Sequence, residues 1–385
     1  MTVRLIDRPE AFTGLLAEIA DADLVALDTE AASFHRYHDR IYLIQLSTRT
    51  STAVIDPLGV GDLAPIGRLL ADRSVEKVFH DADYDLRLFD KEFGFHATNL
   101  FDTRIAAQFL NEPGIGLAAL LDKYFGLKAD KRFQRADWSV RPLSTAMLEY
   151  AAGDTRNLCE LRDILRQQLD GISRLSWVEE EFGLAEEIRW TASESDPSLD
   201  FLRVKGARAL DRRALAILRA LYRWRSELAA SLDRAEFRIM GNEVMLHLAQ
   251  HPVDSGQELT RVKGIGRDIG ERRSGEILAA ISEGKGVPDD ELPRIPRPPR
   301  RLADPAYETR LEALKRERNR LATEFSLAPG VLCPNGTLEA IARAEPENVE
   351  SLARVAGVRT WQAGVFGAAL VTAMQTAEPT AVKEI

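Results

Sequence analysis

Cysteine is nearly absent. Cys159 and Cys333 stand far apart in a chain of 385 residues. That spacing fits neither a disulfide framework nor a zinc-ligand pattern, and it points to a reducing, cytoplasmic setting. No stretch approaches the roughly eighteen unbroken apolar residues a membrane span requires, so no membrane partner is expected. The opening MTVRLIDRPE is too polar for a secretory signal. There is no G-x-x-x-x-G-K-[ST] loop, which speaks against a helicase-type motor. Excess positive charge is missing as well. A formal charge of −9 argues against a uniformly basic nucleic-acid coat, but it permits local basic surface around an acidic metal centre. What the chain does have is 45% hydrophobic and 29% charged residues. This is a globular composition over a length that fits two or three domains.

Apolar runs at Leu24–Asp28, Ile41–Leu46 and Thr52–Asp56 predict three successive strands, closed by Pro57, which cannot donate to a ladder. A helix carrying Leu63, Ile66, Leu69 and Leu70 follows, then a fourth strand at Lys77–Phe79. Further helices are expected at 83–92, 103–111 and 116–125, and a long one from Ser144, as N-cap, to Gln168. Consecutive strands followed by alternating strand and helix predict a mixed sheet with helices on both faces over residues 1–170. A connecting segment, 171–207, leads into helical sequence at 208–286. Residues 287–302 form a proline-rich linker, and 303–378 is helical again. The two helical segments align without a gap at a shift of 93 residues, which sets Arg223 and Arg225 on Arg316 and Arg318, Asn242 on Asn335, and Gly264 on Gly357. A duplicated module accounts for this register.

The strongest chemical signal is Asp28-Thr29-Glu30. On a strand, residues two apart face the same way, so two carboxylates stand side by side. Such anions repel unless a divalent cation separates them, although two solvated acids on an edge strand would be spelled identically. Tyr150 and Asp154, four apart on the long predicted helix, share one face. Asp81, Asp83 and Asp85 all lie near the start of another helix, and spacing does not choose among them. Hard oxygen donors without a Cys or His cluster suit Mg²⁺ or Mn²⁺ rather than zinc.

Taken together, Leu27-Asp-Thr-Glu30, Leu43-Ile-Gln-Leu46, Ile55-Asp-Pro-Leu58, Asp137-Trp-Ser-Val-Arg-Pro-Leu143 and Tyr150-Ala-Ala-Gly-Asp154 resemble the tyrosine branch of the DEDD superfamily of 3′→5′ exonucleases. Within that branch they resemble the bacterial ribonuclease D family, and segments 208–286 and 303–378 resemble the helical HRDC module. The resemblance implies an α/β ribonuclease H-like exonuclease domain, a mixed sheet with flanking helices, followed by two all-α HRDC-type domains. It selects Asp85, five residues after His80. It implies a metal-dependent 3′→5′ exoribonuclease releasing 5′-mononucleotides from RNA with a free 3′ end, precursor tRNA and other small structured RNAs included. Asp28, Glu30, Asp85 and Asp154 would hold two divalent cations, and Tyr150 would orient the attacking water. Gly153 and Thr155 depart from the family's usual alanine and apolar residue, but neither is a ligand.

Substrate contacts are expected from His80, from the basic segment Lys128, Lys131, Arg132, Arg135 and Arg141, and from Lys263 in Val262-Lys-Gly-Ile-Gly266, whose amides can approach a phosphate. Each has a plainer reading: a strand-end histidine satisfied by backbone, a solvated loop, a helix-connecting turn. Residues 201–280 hold fifteen Lys and Arg against ten Asp and Glu, so the first helical module is expected to grip the RNA body. Asp102 reads as an N-cap, and Gln45 as a structural hydrogen-bonder in an apolar strand. A DNA exonuclease of the same superfamily and a non-catalytic nucleic-acid-binding protein remain as alternatives. A monomer without an obligate protein partner is the expected state.

Overall fold

The protein is described by a computed structural model covering residues 3–128, 130, 132–192, 196–296 and 304–377. Lys131 lies outside the described residues, as does the last part of the proline-rich linker.

Six strands form one mixed sheet: β1 (Arg4–Ile6), β2 (Leu24–Ala31), β3 (Ile41–Ser47), β4 (Thr52–Ile55), β5 (Glu76–Phe79) and β6 (Leu100–Asp102). Their spatial order is β1-β4-β3-β2-β5-β6. The β2-β3-β4 segment is an antiparallel meander, extended by parallel pairing of β5 and β6 on one side and β1 on the other. Strands β1 and β6 exceed the four expected; three residues each are too few to establish an alternation. Every residue of β3 is buried, as a strand covered on both faces must be.

Alternation along these strands divides the core. Leu27, Ile44, Leu46 and Ile55 enter a large cluster that includes Leu86 and Phe89 of the helix Asp83–Phe93. Leu43 and Val54 face the other way, into a smaller cluster with Trp138, Ala151 and Ala152. The single long helix expected after Ser144 is in fact two, Thr145–Arg156 and Leu158–Gly171, separated at Asn157. The break has a packing reason. The first helix buries Ala151 and Ala152 in the small cluster, while Leu158, Leu161, Leu165 and Leu169 of the second belong to the large one. One straight helix could not serve both.

The duplication is literal in the structure. Helices Arg212–Ser231 and Pro305–Glu324 correspond residue for residue at the 93-residue shift, as do Glu236–Ile239 and Pro329–Leu332. Arg225 donates to Asn242 Oδ1 at 2.6 Å and to the Met240 carbonyl at 3.1 Å. Its counterpart Arg318 donates to Asn335 Oδ1 at 2.6 Å and to the Cys333 carbonyl at 3.3 Å. These buried arginines therefore pin helix to helix. The copies differ in attachment: the first has a core of its own, whereas the second joins the core of the α/β domain. There Trp361 stacks on Trp177 at 4.8 Å, and Glu180 accepts from the backbone of Thr360 and Trp361 at 2.7 and 3.0 Å. Among the described residues, no helix is long and apolar enough to cross a membrane.

Candidate active site

The sheet opens the site by strand length. β5 pairs with β2 only over Leu24–Ala26 and ends at Phe79, so Asp28 and Glu30 lie past its carboxyl end, where α/β sheets place their ligand crevices. The chain leaving β5 turns through Asp81, at φ 68°, into the helix Asp83–Phe93. Asp102 holds this turn, accepting from the amides of Asp81 and Ala82 at 3.1 and 2.8 Å while also capping its own helix through Arg104 and Ile105. From the opposite face of the sheet, helix Thr145–Arg156 brings Tyr150 and Asp154. Ser144 caps that helix, accepting from Met147 N at 3.2 Å.

Carboxylate oxygens of Asp28, Glu30 and Asp154 lie within 4.8 Å of one another. Asp85 stands beside this trio rather than in it. It is 5% exposed, and the Thr29 hydroxyl donates to its carboxylate. Its sequence neighbours face solvent, where Asp81 pairs with Arg104 at 3.1 Å and Asp83 with Arg87 at 2.7 Å. Burial therefore makes the choice that spacing could not.

All four acids hold their protons more tightly than usual. Desolvation is the first cause in each case. The Asp154 charge adds to it at Asp28, the other three acids at Glu30, and Asp28 at Asp85. Asp154 itself is pushed up to about 7 by desolvation. Among the described residues, no Lys, Arg or His forms an ion pair with any of the four. Hard oxygen donors, crowded and without a protein counter-charge, fit a divalent cation, whose charge would relieve this cost.

Tyr150 is held between Phe133 and Trp138, with ring centroids 5.9 Å away on each side. Burial, then the charges of Asp154 and Glu30, raise its hydroxyl well above the ordinary tyrosine range. It stays protonated and can donate. A cleft of about 200 Å³ runs past Tyr150 and Asp154 and is flanked by Lys128 and Arg156.

The other expected contacts divide. The His80 ring pairs through Nδ1 with Thr103 Oγ1 at 2.9 Å, and that hydroxyl itself donates to the Phe79 carbonyl at 3.0 Å. Nδ1 must therefore carry the proton, leaving Nε2 as the acceptor. Burial lowers its pKa to about 4, so the His80 ring is neutral at physiological pH. Arg141 is corrected outright. Its guanidinium grips Asp56 at 2.6 and 3.0 Å and the carbonyls of Trp138, Val140 and Tyr42 at 2.7 to 3.0 Å, so it braces the loop and has no fork to offer a phosphate. Arg132 pairs with Asp130, and Arg135 lies over the Phe34 ring at 5.1 Å. Lys128 lines the cleft, while Lys263 sits in the first helical module beside Gly264, whose φ of 96° suits a tight turn.

In the loop after Glu30, sequence reasoning set His35 and His38 near the terminal nucleotide, as solvated residues rather than ligands, but missed what holds the loop. Arg238 donates to the Phe34 carbonyl at 2.6 Å, Ala235 N to His35 O at 3.0 Å, and His38 N to Asp233 Oδ1 at 3.0 Å. The exposed rings of Phe34 and Phe237 meet edge-on at 6.4 Å. The first helical module is thus fastened to the loop that follows the strand carrying Asp28 and Glu30. No local pattern signals such a contact between segments about two hundred residues apart.

Comparison with known proteins agrees with this architecture. The 3'-5' exonuclease family matches residues 3–170, and the HRDC domain matches 214–281 and 308–374. Ribonuclease D of Granulibacter bethesdensis is 33% identical over 369 residues, 94% of this chain and 90% of its own. Ribonuclease D of Escherichia coli is 31% identical over 319 residues, 82% of this chain and 83% of its own. The crystal structure of Escherichia coli RNase D, described as an exoribonuclease involved in structured RNA processing, superposes with a TM-score of 0.66 at 25% identity over 97% of this chain and 99% of that one. A protein from Bifidobacterium adolescentis gives 0.80 at 25% identity, covering 97% of both chains.

Proposed function

The chain belongs to the ribonuclease D family and is a 3′→5′ exoribonuclease that uses divalent metal, and from this premise we propose that it trims the 3′ ends of precursor tRNA and other small structured RNAs to 5′-mononucleotides in the cytoplasm. The observation that carries the reading is the meeting of Asp28, Glu30 and Asp154 within 4.8 Å, with Asp85 buried alongside and, among the described residues, no ion pair to neutralise them.

Two cations, Mg²⁺ or Mn²⁺, would supply charge relief at the phosphate and the leaving 3′-oxygen together with an activated water. Asp28, Glu30 and Asp154 would hold them, with Asp28 shared between the two, and Asp85, kept in its rotamer by Thr29, would support the one at the leaving group. The Tyr150 phenol orients the water by hydrogen bonding; with its proton held so firmly it is a donor at neutral pH, not a base. Lys128, which lines the cleft, would hold a phosphate. The fastening of the Phe34–His38 loop to Ala235 and Arg238 supports a guiding role for the first helical module, which would bring the RNA body to the strand that carries the acids.

A time course on 3′-extended tRNA, with Mg²⁺ or with chelator, tests this, alongside single-stranded RNA and DNA of equal length. The expected result is stepwise shortening of RNA by one nucleotide, stopped by chelator. Equal digestion of DNA would favour the DNA exonuclease. Binding without any shortening would favour a non-catalytic nucleic-acid-binding protein.

A further inference from the structure

Gln45 is the one side chain among the described residues whose amide donor and carbonyl acceptor are both buried and unpaired. It is 0% exposed. Native proteins seldom leave such a group without a partner. The expected structural hydrogen bond from Gln45 is therefore not made by the protein.

Its location is specific. Gln45 lies directly across from Asp28 in the β2–β3 ladder and across from Val54 in the β3–β4 ladder. Residues so opposed project from the same face, with Cβ atoms about 5 Å apart. Its neighbours two places along fix which face this is. Leu43 packs with Val54, Ala151 and Ala152, and the Ser47 hydroxyl meets that of Thr155 at 2.8 Å. Gln45 thus lies beneath the helix that carries Asp154, beside the acid at the centre of the trio. A Leu or Met would fill the same apolar strand without an unspent amide. A carboxylate has two oxygens, so Asp28 can turn one to a cation and keep the other for a donor.

We infer that Gln45 is a positioning residue of the metal centre: with a cation held, its side-chain amide donates to the Asp28 oxygen turned away from that cation and fixes the orientation of the carboxylate. This rests on the metal-centre reading above. Outer partners of metal ligands typically change metal affinity or activity by about 10–100-fold when lost.

The test uses the full chain with Gln45→Met, which keeps the length of the side chain and removes the donor; Gln45→Leu repeats it with a second apolar shape, and Asp28→Asn serves as control. Mn²⁺ binding is followed by electron paramagnetic resonance, and thermal unfolding is measured in chelator. The expected outcome is Mn²⁺ affinity lower by about tenfold, kcat reduced with KM for RNA unchanged, and a Tm in chelator equal to or above the wild type, because an unpaired buried amide has been removed. Unchanged Mn²⁺ affinity overturns the inference. So does a lowered Tm with intact affinity, the mark of a merely structural glutamine. If Asp28→Asn also binds Mn²⁺ normally, the metal-centre reading itself fails, which separates the two failures.

Discussion

Replacing Asp154 by asparagine removes a carboxyl group whose proton affinity the fold has raised from 3.8 to about 7, and the consequences for stability and for activity run in opposite directions. The cause of the shift is desolvation, so the folded protein without metal holds this proton where the unfolded chain releases it. The stabilising contribution is fully present below pH 4 and is lost as pH rises through 7. The rise from 3.8 to about 7 therefore costs the metal-free fold about 4 kcal/mol at pH 8 as an upper bound, and about 2 kcal/mol at pH 5. Asparagine does not ionise and escapes this cost. In chelator at pH 8, Asp154→Asn should therefore unfold at a higher temperature than wild type, by up to about 10 °C for a domain of this size, and the gain should shrink on acidification to pH 5. Added Mg²⁺ or Mn²⁺ should raise the wild-type Tm and leave the variant almost unmoved, while RNA hydrolysis disappears. Thermal unfolding at the two pH values, with and without metal, reads all of this. A variant less stable than wild type at pH 8 in chelator would refute the electrostatic argument, as would a gain that does not depend on pH.

Tyr150→Phe should lower kcat by about 100-fold through loss of water orientation while Mn²⁺ affinity stays at the wild-type value; an unaltered rate would remove the tyrosine from the chemistry. Arg141→Ala should cost about 3 kcal/mol, because it takes the counter-charge from the buried Asp56 carboxylate and a donor from three carbonyls. The salt dependence of its RNA binding should match wild type. A slope shallower by about one unit would return Arg141 to the phosphate contacts.

The parts of this protein that could be read directly are those whose information is local. Strands β2 to β5 announce themselves by apolar runs, and Ser144 and Asp102 cap their helices because a cap needs only the next two or three amides. Asp28 and Glu30 share a face by the pleat of a single strand, and Tyr150 and Asp154 by one turn of a single helix. The duplication is legible because each copy repeats the same buried Arg and Asn. Strands β1 and β6 are too short to carry a pattern, and the break at Asn157 depends on which face of the sheet each half must cover.

Taken alone, then, the amino-acid order determined the element types, the paired carboxylates and the repeat, since these follow from backbone periodicities of two and 3.6 residues. The tertiary structure decided which of three neighbouring aspartates turns inward, which arginine is already spent on Asp56, and which glutamine is left with an idle amide beside Asp28. Those outcomes depend on desolvation and on partners tens to hundreds of residues away, and a charge written in sequence does not record whether the folded chain has already paired it.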